Sequence, residues 1–420
     1  MYVFALLSAL VTLAAAFSLI SHRLLRLPTT VGVMLLSLVV STPLVLLAGS
    51  IPAVHAEAAG LISHIDFSAV VLHGMLAFLL FAGAMQLNVG ELRRQKAPVA
   101  ALSIFGTIVS ALLVGFLIKG VLRVTGLELG FLPCFLFGAL ISPTDPIAVV
   151  EMMRRVGAPA GLEAQLSGES LFNDGVGAVL FLTLLASFDT GQSVTFGAFS
   201  WHLLIKAGGG IGLGLALGYL AYTLLRTVDA YRVEELLTLA LAMGGYALAD
   251  VLGLSAPLEV VAAGLVAGSL AREMAMSELT RERVDRFWEL IDDMLNVMLF
   301  LLLGLELLVM RWHLPYIYAG LLAIPVVIGV RWISVVLSLL LVRVLHRPVR
   351  GAITVLTWGG LRGALAFALS LSIKAGPAHD RLLAITYIVV IFSIVAQGLT
   401  MDRLLRRLGF AEKPEAVVAD

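Results

Sequence analysis

Charge is what this sequence has least of. Only 13% of its 420 residues are Asp, Glu, Lys or Arg, against 60% hydrophobic residues and a mean hydropathy of +1.02. A soluble domain carries about 25% charged residues, so this chain cannot coat a water-facing surface of its own size. Its natural solvent is lipid. The 28 acidic and 28 basic residues cancel, which gives no footing for nucleic acid. The single cysteine, Cys134, excludes an intramolecular disulfide framework and a thiolate-rich metal site; lying in an apolar run, it reads as a small packed hydrophobe. The sequence has no P-loop, dinucleotide fingerprint or HExxH helix. No cofactor is expected, and ATP is not the expected source of energy. No basic segment precedes the first apolar run, so residues 2–20 read as a retained span and not as a signal peptide.

What is present is a series of apolar runs. A bilayer core of about 30 Å takes roughly 20 helical residues. Thirteen runs approach that length: 2–20, 29–49, 68–87, 98–118, 131–152, 165–188, 200–225, 233–251, 256–271, 287–310, 315–342, 351–373 and 380–401. Basic residues fall unevenly between them. Alternate loops and the tail hold twenty of the 28, from Arg23 and Arg26 to Arg407 and Lys413, whereas the opposite loops hold six. By the positive-inside rule the N-terminus is outside and the C-terminus in the cytoplasm, in the inner (plasma) membrane.

Thirteen spans divide into two groups of six joined by a seventh, a common transporter plan of inverted repeats. Residues 1–410 then form one transmembrane exchanger domain, with 2–188 as the first repeat, 200–225 as a linker helix and 233–401 as the second repeat. Residues 402–420 are left as a short cytoplasmic tail. The fifth span of each half is interrupted, by Ser142-Pro143-Thr144-Asp145-Pro146 in one and by Gly359-Gly360-Leu361-Arg362-Gly363 in the other. Interruptions at matching positions point to broken helices and a site near the midplane. The run Gly208–Gly214 reads as a surface for close helix approach.

Ionisable groups inside spans are costly and mark cavities or ion pairs. Five stand out: Asp145, Glu169, Asp174, Arg331 and Arg362. Pro143 and Pro146 each lack an N–H, so the helix cannot continue regularly between them. Freed carbonyls and the Thr144 hydroxyl could then coordinate a cation, while Asp145 offsets the positive end of a half-helix. Ser170, Asn173, Asp174 and Gly177 recur at i, i+3, i+4 and i+7 and share one helical face. A hydroxyl, an amide and a carboxylate suit an alkali cation or a proton, not a soft transition metal. Arg362 needs a carboxylate partner, with Glu169 or Asp145 as candidates, and Arg331 needs a partner or a helix C-terminus. Three acids against two arginines leave one negative charge for the transported ion. Asp292, Asp293 and Asn296, near the start of the tenth span, suit a cytoplasmic funnel or a wet helix end.

SPTDPIAVV (142–150), GESLFNDGVGAV (168–179) and GGLRGALAFALS (359–370) closely resemble motifs of the NhaP-type sodium/proton antiporters, in the monovalent cation/proton antiporter superfamily. The resemblance implies an all-α polytopic fold of thirteen helices, two inverted six-helix repeats with broken crossing helices, and a homodimer in the lipid bilayer. It maps the cation- and proton-binding roles onto Asp174, Asn173, Ser170, Thr144 and Asp145, with Asp174, Ser170 and Thr144 as ligands of the monovalent cation. It maps a structural ion pair onto Glu169 and Arg362 and leaves Arg331 as a supporting charge. An acidic residue found in the third span of some relatives is absent from Leu80-Phe81-Ala82-Gly83-Ala84. Asn173, standing where electrogenic relatives have a second Asp, resembles the electroneutral branch.

The expected function is therefore secondary transport, not enzymatic catalysis: exchange of Na+, or of Li+ or K+, for H+, by competition at Asp174 with alternating access. A passive cation channel and an intramembrane aspartyl protease are the alternatives; the absence of a GxGD motif counts against the protease.

Overall fold

A computed structural model of the chain describes residues 2–25, 27–46, 70–191, 196–310, 312–343, 349 and 351–410. The final ten residues of the expected cytoplasmic tail lie outside the described residues, as do Arg26, Arg311, Arg347, Arg350 and Lys413 of the charge pattern. So do residues 47–49 of the second expected span and 68–69 of the third. Among the described residues there is no β-strand.

The thirteen apolar runs become α1 (Tyr2–Ile20), α2 (Thr29–Leu46), α3 (Val70–Gln86), α4 (Lys96–Val124), α5, α6 (Ala160–Thr190), α7 (Phe196–Leu225), α8 (Tyr231–Val251), α9 (Ala256–Leu270), α10 (Glu278–Leu305), α11 (Leu314–Leu341), α12 and α13 (Pro377–Arg407). Two are broken as expected. The helix α5 consists of α5a (Phe131–Ile141) and α5b (Ile147–Arg155), parted by the two prolines. The helix α12 consists of α12a (Ala352–Trp358) and α12b (Ala364–Leu371), parted by the glycine-rich 359–363. The expected limits of the longer spans fall short: α6 runs for 31 residues, beyond the roughly 20 that cross a bilayer core.

Packing does not follow the order of the chain. The helices α4, α5, α6, α11, α12 and α13 pack on one another as one group, while α1–α3 and α7–α10 form a second. Each half of the sequence thus supplies its last three helices to the first group. The two groups meet where α6 packs against α7 and α9, and where α12b packs against α3 and α10. In the second group the glycine run does what its composition suggests. A Cβ at Gly214 would collide with the Glu259 carbonyl, and one at Gly210 with the Ser255 carbonyl, so α7 and α9 approach backbone to backbone. Cys134 is fully buried on α5a, as a packed hydrophobe should be.

Candidate cation and proton site

The two unwound segments cross in the middle of the first group and bond to each other. The Asp145 N–H donates to the Leu361 carbonyl at 2.8 Å. From the other strand, Arg362 Nη1 donates to the carbonyls of Ser142 and, at 2.9 Å, Pro143. Four half-helix ends converge here. The carbonyl end of α5a is capped by Arg362, and Arg331 reaches the Leu356 carbonyl in the last turn of α12a through Nε at 3.1 Å and Nη2 at 2.8 Å. Positive charge at a helix C-terminus offsets the negative end of the dipole. The remaining ends are N-termini, and Asp145 serves both: its carboxylate accepts from the Ile147 N–H at the start of α5b, at 3.2 Å, and packs against Gly363 at the start of α12b. A Cβ at Gly363 would overlap that carboxylate.

The polar face of α6 holds the first of these segments in place. Asn173 grips Thr144 at two points, accepting from its N–H at 3.2 Å and donating from Nδ2 to its hydroxyl at 2.9 Å. Ser170 Oγ donates to the Thr144 carbonyl at 2.5 Å. Thr144, Ser170 and Asn173 are buried, whereas Asp145 and Asp174 are only partly so. Both aspartates line a cavity of about 440 Å³, together with Thr144, Ser170 and residues of α3 and α10. Its lining extends to the exposed Arg154 near the end of α5b, to Glu151 on the same half-helix and to the exposed Glu289 of α10, which together mark its mouth. The five residues expected to bind cation and proton are thus brought together, in two roles. Asn173 acts on the backbone; Asp174, Asp145, Ser170 and Thr144 offer oxygen atoms to the cavity.

One expectation is corrected. Glu169 does not pair with Arg362. Its carboxylate takes a two-point ion pair with Arg331, Oε1 to Nη1 and Oε2 to Nη2, the latter at 2.9 Å. The reason is the angular position on α6: Glu169 points away from the Ser170–Asn173–Asp174 face, toward α11, and does not line the cavity. Arg362 instead donates through Nη1 to backbone carbonyls and leaves Nε and Nη2 buried without a hydrogen-bond partner among the described residues. Its backbone N–H donates to Ser393 Oγ at 2.8 Å. The surplus charge therefore has a different origin. Glu169 and Arg331 neutralise each other, while Arg362 faces no carboxylate.

Two residues of this network went unnoticed in the sequence. Ser393 donates to Gln397 Oε1 at 2.5 Å, and Gln397 Nε2 donates to the Trp358 carbonyl at 3.1 Å, so together they tether the unwound 359–363 segment to α13. The available signal was a polar pair at i, i+4 in an apolar helix, in a stretch that winds as a wider π turn, a feature often found at functional sites.

The arrangement has known counterparts. A family model described as "Sodium/hydrogen exchanger, transmembrane" matches residues 7–407. The chain belongs to the sodium/hydrogen exchanger family. Membership makes it a multi-pass membrane protein and a secondary transporter. The exchanger is 40% identical over 414 residues to the Na(+)/H(+) antiporter NhaP of Pseudomonas aeruginosa, covering 97% of each chain. It is 34% identical to the Na(+)/H(+) antiporter NhaH of Halobacillus dabanensis, covering 82% of this chain and 84% of that one. The fold is that of the sodium proton antiporter MjNhaP1 from Methanocaldococcus jannaschii, with a TM-score of 0.76 at 21% identity over 97% of this chain and 99% of the other.

Proposed function

We propose that the exchanger moves Na+ against H+ by competition at Asp174. The observation that carries this reading is the set of oxygens facing one cavity: the carboxylates of Asp174 and Asp145, the Ser170 hydroxyl and Thr144. Ser170 and Thr144 keep lone pairs beyond those used in their mutual hydrogen bond. A carboxylate with neutral oxygens around it binds either a dehydrated alkali cation or a proton, not both. Occupied by one or the other, the site can pass through a low-dielectric interior; bare, it resists, because an uncompensated charge there is expensive. Coupling follows from that exclusion. Asn173 contributes no second exchangeable charge, which supports an electroneutral exchange.

The distribution of basic residues supports an N-terminus outside and a C-terminus in the cytoplasm of the inner membrane, so that the cavity opens inward. The division into repeats 2–188 and 233–401, with 200–225 as linker, fits the way each half supplies three helices to the group that holds the site. A homodimer in the bilayer is part of the same reading.

In proteoliposomes, Asp174→Asn abolishes sodium-driven proton movement while the purified variant keeps the wild-type gel-filtration profile. Exchange that survives in this variant overturns the assignment. Replacing sodium by lithium or potassium in the same assay ranks the cations.

A further inference from the structure

The cavity that contains Asp174 has a second wall, built by helix α10 of the other helix group. On that wall Asp292 and Asn296 lie one turn apart. Asn296 Nδ2 donates to Asp292 Oδ1 at 3.1 Å. This bond fixes the amide orientation, since only the NH2 side can face a carboxylate. The consequence is that Asn296 Oδ1 is turned elsewhere, and it has no hydrogen-bond partner although the residue is 1% exposed. A buried amide oxygen left unpaired costs about 1–3 kcal/mol. Asn296 is one of the residues that line the cavity, beside an Asp292 carboxylate whose second oxygen takes no hydrogen bond from another described residue.

The charges around it are arranged to draw a cation in. At the mouth, Arg154 is paired with Glu163 at 2.6 Å, and Arg155 is paired with Glu151. Among the described residues none of Glu289, Asp292 and Asp293 has a cationic partner. The mouth therefore presents uncompensated negative charge.

We propose that Asp292 and Asn296 form a second cation site on the opposite wall of the cavity, where a partly hydrated alkali cation is held before it reaches Asp174. Its protein ligands are the Asp292 carboxylate and Asn296 Oδ1, with water completing the shell. Two hard oxygens and a single negative charge suit a monovalent ion that must leave again. The site serves only ions arriving through the cavity, so its effect is one-sided. This inference rests on the exchange reading of Asp174, but fails separately from it.

The test uses the full chain reconstituted in one orientation, with sodium offered to each face in turn. Asp292→Asn raises the sodium concentration for half-maximal exchange about tenfold, the effect of losing about 1.4 kcal/mol of binding. The rise is seen only from the face on which Glu151 and Glu289 lie. Asn296→Leu gives the same one-sided rise and covers the case in which Asp292→Asn fails to fold. An equal rise from both faces, or none from either, overturns the proposal. A second readout needs no transport: in Asp174→Asn, sodium chloride still raises the melting temperature relative to choline chloride, and adding Asp292→Asn removes the difference. Absence of residual stabilisation in Asp174→Asn overturns it as well. Surviving exchange in Asp174→Asn would instead bring down the primary assignment.

Discussion

Arg331 and Arg362 are both buried at the heart of one helix group, 4% and 1% exposed, yet they are accommodated in different ways. Arg331 meets a carboxylate, Glu169, and adds the carbonyl end of α12a. Arg362 meets no carboxylate; it is held by the carbonyl end of α5a, through Ser142 and Pro143. A guanidinium buried in this protein thus takes one of two environments, an opposite charge or the unpaired end of a helix, and the second leaves Nε and Nη2 of Arg362 without hydrogen-bond partners among the described residues. The difference decides which acids remain for transport. By taking Glu169, Arg331 removes it from the site, and by leaving carboxylates alone, Arg362 keeps Asp145 and Asp174 available to the cavity.

The comparison can be broken at three points. The largest effect belongs to Glu169→Gln, which strands a buried charge on Arg331. Removing one member of a buried pair costs about 3–5 kcal/mol, so folded yield and thermal midpoint in detergent drop furthest in this variant. Exchanging both members, Glu169→Gln with Arg331→Met, restores part of the loss. A thermal midpoint equal to wild type in Glu169→Gln would mean that the pair does not hold α6 to α11.

Arg362→Ala follows. It leaves carbonyls unpaired, at about 1–3 kcal/mol for a buried polar group, a smaller fall in midpoint than for Glu169→Gln. Arg362→Lys recovers only part, because an ammonium cannot reproduce the planar fork of donors. If Arg362→Ala proved the more damaging of the two, the dipole-capped arginine would be the principal anchor and the ranking above would reverse.

Smallest in stability is Gly363→Ala. Its added methyl group meets the Asp145 carboxylate, which can swing away, and also Asp145 Cβ at 2.5 Å, which is fixed to the backbone. The fold therefore loses about 1 kcal/mol, the lower end of the cost of overpacking. Displacing Asp145 from the two helix N-termini raises the sodium concentration for half-maximal exchange a few-fold. An unchanged value would show that Asp145 is not among the oxygens that the ion meets.

Much of this was legible in the residues. Two prolines flanking Thr144 and Asp145, and three glycines around Arg362, made both interruptions readable, whereas the lone Pro43 and Pro325 sit inside α2 and α11 and the glycines of 208–214 inside a continuous α7. The i, i+3, i+4 spacing of Ser170, Asn173 and Asp174 likewise fixed a shared face. Which helix lay opposite each residue was not legible. Glu169 and Arg331 are 162 residues apart, and their meeting depends on how α6 is rotated against α11, a matter of side-chain packing along both helices. The same limit hid the grouping of helices from both halves. It also hid two buried glutamates, Glu234 and Glu259, which lie on the second helix group with both carboxylate oxygens unpartnered. Their short-range sequence context is that of ordinary helix starts, with Glu in the first turn.

The hydrogen bond from Asp145 N–H to the Leu361 carbonyl joins two stretches of chain that are far apart in sequence and each unable to satisfy its own backbone. Its consequence is epistatic. A change that reshapes 142–146 alters what 359–363 has to bond with, and the reverse holds equally. Substitutions in the two segments should accordingly fail to add, with interaction energies in the range of about 0.5–3 kcal/mol seen for residues of one network. The two interruptions constitute a single mutational unit, and tolerated sequence changes in either are conditional on the state of the other.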